Sequence, residues 1–249
     1  MTSKRWWTTG VDWIDLLYPP YTAMVLSYVV IGACMTPEGP IWSLTGLALL
    51  AYFLGVGVAA HCFDEVKGHP LGTNISDRIL LAVGAISMAL IGALALFGFL
   101  WLEYGWLPFY MPWLGLPESP RRGGIGLLAF AAVEAFFVFA YSLELFGGRF
   151  HNDFCFVFSW AFLPTLFGYY INALRLDLHA ILLALAISMT AVIETRINHW
   201  VKRMSEDPRR EYAPWIKEPQ EAVQATVALT VLLAIALALW RALGPVGLI

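Results

Sequence analysis

One dense polar stretch, His61 to Arg78 (HCFDEVKGHPLGTNISDR), separates two apolar runs. Its chemistry begins with Asp64 and Glu65. Adjacent carboxylates at a helix end are donors that Mg²⁺ uses, because that ion takes a few carboxylates and completes its shell with water and substrate phosphate. His61 falls one turn before the pair if the preceding helix continues past Ala60. Lys67 and Arg78 carry the charge to neutralise a phosphate. The plainer alternative is a charged cap that anchors a helix end at a membrane surface. Gly68, Pro70 and Gly72 favour a shaped turn over a flexible linker.

Other candidates lie along the chain. Glu134 sits in the middle of an apolar run, where an ionisable group is costly and usually faces the bundle interior with a partner. Both a structural hydrogen bond and a functional role are open for it. Glu144 and Glu194 fall near the ends of their runs and read as solvated charges. Arg149 follows Gly147-Gly148 and is a candidate to face an anionic ligand, while Asn152 or Asp153 supplies the cap of the next helix. Glu194, Asn198 and Lys202 recur every four residues and share one face of a helix, with His199 and Arg203 in the neighbouring row. Five scattered histidines do not form the close histidine boxes of membrane di-iron enzymes. No phosphate-binding P-loop and no Ser/His/Asp signature is visible.

The elements that must position these residues are membrane helices. Of 249 residues 59% are hydrophobic and only 13% charged, about half the charged share of a soluble domain. A net charge of −3 gives no electrostatic case for nucleic acid. Cys34, Cys62 and Cys155 show no paired spacing and read as buried free thiols. Runs of about 20 apolar residues place spans at Leu16–Met35, Ile41–Ala60, Ile79–Leu102, Ile125–Phe146, Phe154–Leu174, Leu178–Asn198 and Ala222–Leu243. The first run is long enough to be a retained helix and not a cleaved leader. The segment Glu103 to Gly124 is dense in Trp, Tyr and Pro and reads as an interfacial loop, with Tyr104 to Trp113 as a membrane anchor or a partner surface.

Lysine and arginine placement orients the chain. With the N-terminus inside, inner segments hold Lys4, Arg5, Lys67, Arg78, Arg149, Arg196, Lys202, Arg203, Arg209, Arg210 and Lys217, against Arg121, Arg122, Arg175 and Arg241 outside. The His61 loop, the Gly147-Gly148 turn and the loop Val201 to Glu221 then share the cytoplasmic face, where they can converge on one site. The expected fold class is all-α, a polytopic transmembrane bundle of about seven helices forming a single integral membrane domain over 1–249.

At this point the pattern resembles the UbiA-type membrane prenyltransferases. The second helix ends in HCFDEVKGHPLGT, where the family has Asn-Asp-x-x-Asp-x-x-x-Asp. The fourth ends in YSLELF, which is similar to the family's Tyr-Ser-x-x-Leu-Lys, and GGRFHNDFCFVFSWAFLPTLFGYYIN follows with its Pro and Gly-Tyr. The sixth runs into a polar loop where the family places a second Asp-rich motif. The likeness covers roughly Leu16 to Arg210. Asp64 matches the middle aspartate, and Tyr141 and Ser142 match the Tyr-Ser pair. Ala60, His61 and Gly68 replace the other motif residues, and Phe146 replaces the lysine, for which Arg149 is a substitute. Only Glu206-Asp207 follow the sixth helix, and the family usually has nine helices.

The resemblance implies a lipid-facing cavity and transfer of an isoprenoid chain from a polyprenyl diphosphate to an aromatic or lipidic acceptor. It implies Mg²⁺ at Asp64 and Glu65, with Tyr141 beside them. Diphosphate would be held by His61, Lys67, Arg149, Lys202 and Arg203, and Asn198 would complete the pocket. The open alternative is a non-catalytic relative that binds an isoprenoid lipid, quinone or pigment, or supports a membrane complex.

Overall fold

The computed structural model describes residues 6–106, 115–118, 121–205 and 216–244. Lys4, Arg5, most of the Tyr104 to Trp113 anchor, Glu206-Asp207, Arg209 and Arg210 lie outside the described residues. Every regular element among those described is helical. A short helix α1 (Asp12–Leu16) leads into α2 (Pro19–Cys34), which opens on two prolines at positions where a missing N–H is harmless. Helix α3 (Trp42–Tyr52) passes without a break through a π-helical segment (Phe53–Ala60) into α4 (His61–Gly68). Then come α5 (Asp77–Tyr104) and α6 (Gly124–Ser142). A second π-helical segment (Phe158–Phe162) joins α7 (Asp153–Val157) to α8 (Leu163–Ala173). Helices α9 (Leu178–Ser205) and α10 (Lys217–Leu243) complete the set.

Six of these stretches are long and apolar enough to cross a membrane: Trp42–Gly68, Asp77–Tyr104, Gly124–Ser142, Asp153–Ala173, Leu178–Met204 and Lys217–Leu243. The remaining apolar helix, α2, has 16 residues. At 1.5 Å per residue it is about 24 Å long, less than the ~30 Å hydrocarbon core. The boundaries differ from the sequence expectation for identifiable reasons. The second span does not stop at Ala60, because the helix continues to Gly68 and carries the polar motif within it. The fourth stops at Ser142 instead of Phe146, because Glu144, Phe146 and Gly147 adopt left-handed backbone angles. The sixth runs to Ser205, past Asn198.

Helix α2 is the hub. It is mostly buried and is wrapped by α8, α10 and α3. Its contact with α8 is backbone to backbone. A Cβ added to Gly32 would collide with the Thr165 carbonyl, and one on Gly168 with the Val29 carbonyl. Small residues permit such close approach, which matters in hydrocarbon because packing there replaces the hydrophobic drive. Polar ties pin the same helices. The Tyr28 hydroxyl lies 2.8 Å from the Thr190 hydroxyl. The buried Asn172 accepts from the Ile41 N–H at 2.6 Å and donates to the Gly168 carbonyl at 2.8 Å. Cys34, Cys62 and Cys155 are buried free thiols. Large apolar side chains such as Ile86, Leu90, Leu182, Leu229 and Leu232 face outward, as the exterior of a bundle in lipid requires.

The two ends of the bundle are held separately. At one end, Arg241 donates to the Cys34 carbonyl at 2.7 Å and the Thr36 carbonyl at 2.9 Å, and Arg175 pairs with Glu38 at 2.9 Å. At the other end, Asp12 accepts from the backbone N–H of Asn74 at 2.9 Å and from its side-chain amide at 3.2 Å. The N-terminal segment therefore lies on the same side as the polar stretch after α4.

Two predictions test this frame. Gly32→Ala and Gly168→Ala each force α2 and α8 apart and should lower stability by about 2 kcal/mol, read as earlier thermal unfolding in detergent. Wild-type melting of both would dismiss the close contact. Asp177 caps α9, accepting from the Ala180 N–H at 2.9 Å and the Tyr169 hydroxyl at 2.8 Å. The backbone bond first, then the Tyr169 bond, holds its carboxyl below the usual range. The cap should be complete above the ordinary aspartate value of about 4 and lost as pH falls through the lower folded value. Tyr169→Phe should make that loss begin at higher pH, as followed by amide exchange at Ala180.

Candidate functional site

Successive residues on a helix point about 100° apart, and α4 uses this to give Asp64 and Glu65 opposite tasks. Glu65 is fully buried and faces its own turn. One carboxylate oxygen accepts the Leu71 N–H at 2.9 Å; the other accepts the Thr73 N–H at 2.7 Å and the Thr73 hydroxyl at 2.9 Å. His69 leaves the helix in the left-handed region, and Gly72 also takes a positive φ. The shaped turn expected at Gly68-His69-Pro70-Leu71-Gly72 is thus wrapped around Glu65. Glu65 does not sit beside Asp64 as a second ligand.

Asp64 points the other way, into a polar cavity of 390 Å³. Three parts of the chain converge there on one end of the bundle. Helix α4 brings His61, Asp64 and Lys67. The end of α6 and the turn after it bring Tyr141, Ser142, Glu144 and His151. Helix α9 brings Glu194, Thr195, Asn198 and His199. Tyr18, Tyr21 and Trp160 line the remaining wall. His61 is buried, with Nδ1 3.1 Å from the Gly57 carbonyl. Its ring lies between Tyr18 and Trp160, with centroids 5.5 and 5.6 Å away. Tyr141 stacks on His151 at 4.4 Å, and the buried Ser142 hydroxyl lies beside Asp64.

Most acids on the cavity have partners. Lys67 pairs with Glu144 at 3.7 Å, and Asp153 lies 3.6 Å from Arg196 and 3.5 Å from His199. Glu194 accepts from the Asn198 amide, which also donates to the Tyr21 hydroxyl at 2.6 Å. Asp64 alone of these has no ion pair or such bridge among the described residues beyond the Ser142 hydroxyl. Glu194 corrects the sequence expectation of a solvated charge. It is 2% exposed, because its face of α9 turns toward α2 and Tyr21 covers it.

A second cavity lies at membrane depth. It is a trough of 110 Å³ along α3, α5, α6 and α8, apolar apart from Tyr52 and Glu134. A small void of 20 Å³, the neck, lies between the two regions and shares walls with both: Glu134, Val56 and Val138 also line the trough, and Tyr141, Ser142 and Trp160 also line the polar cavity. The neck's wall includes Val56 and Ala60 from the first π-helical segment and Ser159 and Trp160 from the second. Such segments are rare in helices and collect at functional sites.

Of the residues expected at the site, the structure gathers His61, Asp64, Lys67, Tyr141 and Asn198 on one cavity. Arg149, Lys202 and Arg203 are exposed and do not line it. Arg203 lies back on its own helix, 3.3 Å from the His199 carbonyl. Asn152, not Asp153, caps α7, accepting the Cys155 N–H at 3.0 Å. Sequence reasoning missed Tyr18, Tyr21, Trp160 and Tyr52, since aromatic residues in apolar runs carry no local sign of facing a cavity. The four-residue spacing of Glu194 and Asn198 was the one usable signal for the α9 wall.

Among the described residues no three His, Cys, Asp or Glu side chains cluster to hold a metal ion. Mg²⁺ needs no protein-built cage, because substrate phosphates and water complete its shell. Asp64 and Glu144 are the carboxylates of α4 and of the turn after α6 on this cavity, and Glu144 is already paired with Lys67. Compared with family models, curated proteins and solved structures, the chain matches none.

The division of labour within α4 is testable. Glu65→Ala removes the acceptor of three hydrogen bonds and should cost about 3 kcal/mol, with amide exchange at Leu71 and Thr73 accelerating first. Asp64→Asn should leave both untouched. Equal effects of the two variants on the turn would contradict it.

Proposed function

We propose that this chain is a seven-span, UbiA-like membrane protein that binds an isoprenoid diphosphate and transfers its chain to an aromatic or lipidic acceptor. The observation that carries the reading is the succession of a polar cavity, a small void and an apolar trough that share wall residues. An amphipathic lipid has the matching order of parts, with its charged head at Asp64 and Lys67 and its chain toward the neck. The N-terminus and the polar cavity face the cytoplasm, on the strength of the lysine and arginine distribution. Helix α2 counts as the seventh span, its short length absorbed by local thinning of the bilayer.

The chemistry requires the bond between the allylic carbon and the diphosphate oxygen to break, its electron pair leaving with the diphosphate. A new bond forms from the acceptor to that carbon, and the acceptor loses a proton. Bound through Asp64 and Glu144, Mg²⁺ would supply charge neutralisation for the leaving diphosphate. Lys67 is the cation of this chain placed to contact the head group, and His151 and His199 add donors at the rim. Tyr18, Trp160 and Tyr141 surround the reacting end with aromatic faces and exclude water, which attracts developing positive charge. His61, with its ring beside Tyr18 and Trp160, lines the same wall one turn before Asp64.

One observation favours binding without reaction as the second reading. Glu65 is engaged in its turn and Arg149, Lys202 and Arg203 stand outside the cavity, which leaves few groups to stabilise a departing diphosphate.

Titration of the purified protein with geranylgeranyl diphosphate, with Mg²⁺ and after chelation, tests the proposal. Mg²⁺-dependent binding is expected, and Asp64→Asn should weaken it by about tenfold or more without changing thermal stability. Release of pyrophosphate with an acceptor supports transfer; tight binding without release supports the second reading. No binding under either condition would exclude both forms of the diphosphate-binding reading.

A further inference from the structure

The trough holds one feature that a plain hydrocarbon chain would not use. Glu134 of α6 projects among Leu127, Phe130, Val138 and other apolar side chains, and its Oε1 accepts the Tyr52 hydroxyl at 2.7 Å. Its Oε2 has no hydrogen-bond partner among the described residues and is not one of their fully buried unpartnered polar atoms, so it retains open space beside it. A carboxyl group at membrane depth with one oxygen unengaged and facing a cavity marks a ligand position, because leaving it unpaired in hydrocarbon is costly.

We infer that the trough is a binding site for an isoprenoid alcohol, whose hydroxyl meets Glu134 Oε2 beside Tyr52. A hydroxyl is the group that serves this oxygen in either protonation state. It donates to a carboxylate and accepts from a carboxylic acid, whereas a carbonyl can only accept. The shape of the site argues for a chain. Met88 and Leu102 both line the trough, and their separation of fourteen positions on α5 (102 − 88) is about 21 Å along the axis. Glu134 also lines the neck, so the hydroxyl end points toward the polar cavity and the chain extends toward Trp101 and Leu102. The outer faces of α5 and α6, which flank the trough, are apolar, which suits entry of the ligand from the bilayer. The trough is also the compartment toward which the chain of the proposed diphosphate runs, so the isoprenoid character of the alcohol rests on that reading, whereas the hydroxyl at Glu134 rests on the geometry of the trough alone.

The test is competition for tritiated geranylgeraniol bound to the detergent-solubilised protein, using unlabelled geranylgeraniol and the corresponding hydrocarbon without the hydroxyl. In the wild type the alcohol should compete about five- to tenfold better. Glu134→Leu should abolish that preference by weakening the alcohol alone. Glu134→Gln, which keeps a donor and an acceptor at the position, should retain most of it and guards against loss of fold. Leu127→Trp, which fills the trough, should eliminate binding of both ligands while the protein remains monodisperse. An unchanged preference in Glu134→Leu, alcohol binding that survives Leu127→Trp, or no specific binding in the wild type would each overturn the inference.

Discussion

The close approach of α2 and α8 is the constraint on which the rest of the structure depends. Gly32 against the Thr165 carbonyl and Gly168 against the Val29 carbonyl leave no room for a side chain between the two backbones. That contact buries α2, which is otherwise a short helix with little polar patterning. It sets Tyr18 and Tyr21 at one end of α2 on the same cavity as Trp160, which lies in the π-helical segment just before α8. The wall of the polar cavity follows from helix packing that lies well away from it.

The two π-helical segments extend this logic. Each inserts extra residues into an otherwise continuous membrane helix, so that side chains beyond the segment are turned relative to those before it. In the α3–α4 stretch this turn separates the trough-lining residues Ala48 and Tyr52 from the cavity-lining residues His61 and Asp64. In the α7–α8 stretch it separates Phe156 at the polar cavity from Phe167 at the trough. A regular helix presents one face throughout. These two helices present different faces to two compartments, and the neck lies where they change over.

Ionisable groups inside the bundle fall into two classes. Glu65, Glu194 and Asp153 are engaged by donors of this chain: the Leu71 and Thr73 amides, Asn198, and Arg196 with His199. Asp64 and Glu134 are engaged on one side only, by Ser142 and Tyr52, and both look into cavities. Burial of an acid with a full set of donors stabilises a local turn or a helix contact. Burial with an incomplete set leaves a position for something from outside the chain. That distinction, more than the number of acids, separates structural from ligand-facing groups here.

Composition and run length sufficed to establish an all-helical chain with helices that can cross a membrane, because a hydrocarbon environment allows few alternatives for a 20-residue apolar segment. The concentration of polar residues at His61 to Arg78 and the shaped turn after it were equally legible, since Gly and Pro at close spacing act locally. The shared face of Glu194 and Asn198 was readable from helical period. Tertiary structure decided the rest. It assigned Asp64 to the cavity and Glu65 to the turn, a choice between neighbours that spacing leaves open until the partner helices are known. It buried Glu194, kept Arg149, Lys202 and Arg203 outside, and brought Tyr52 to Glu134 across 82 positions of sequence. Such pairings depend on which helix faces meet, and that is set by long-range packing and not by the order of residues along one helix.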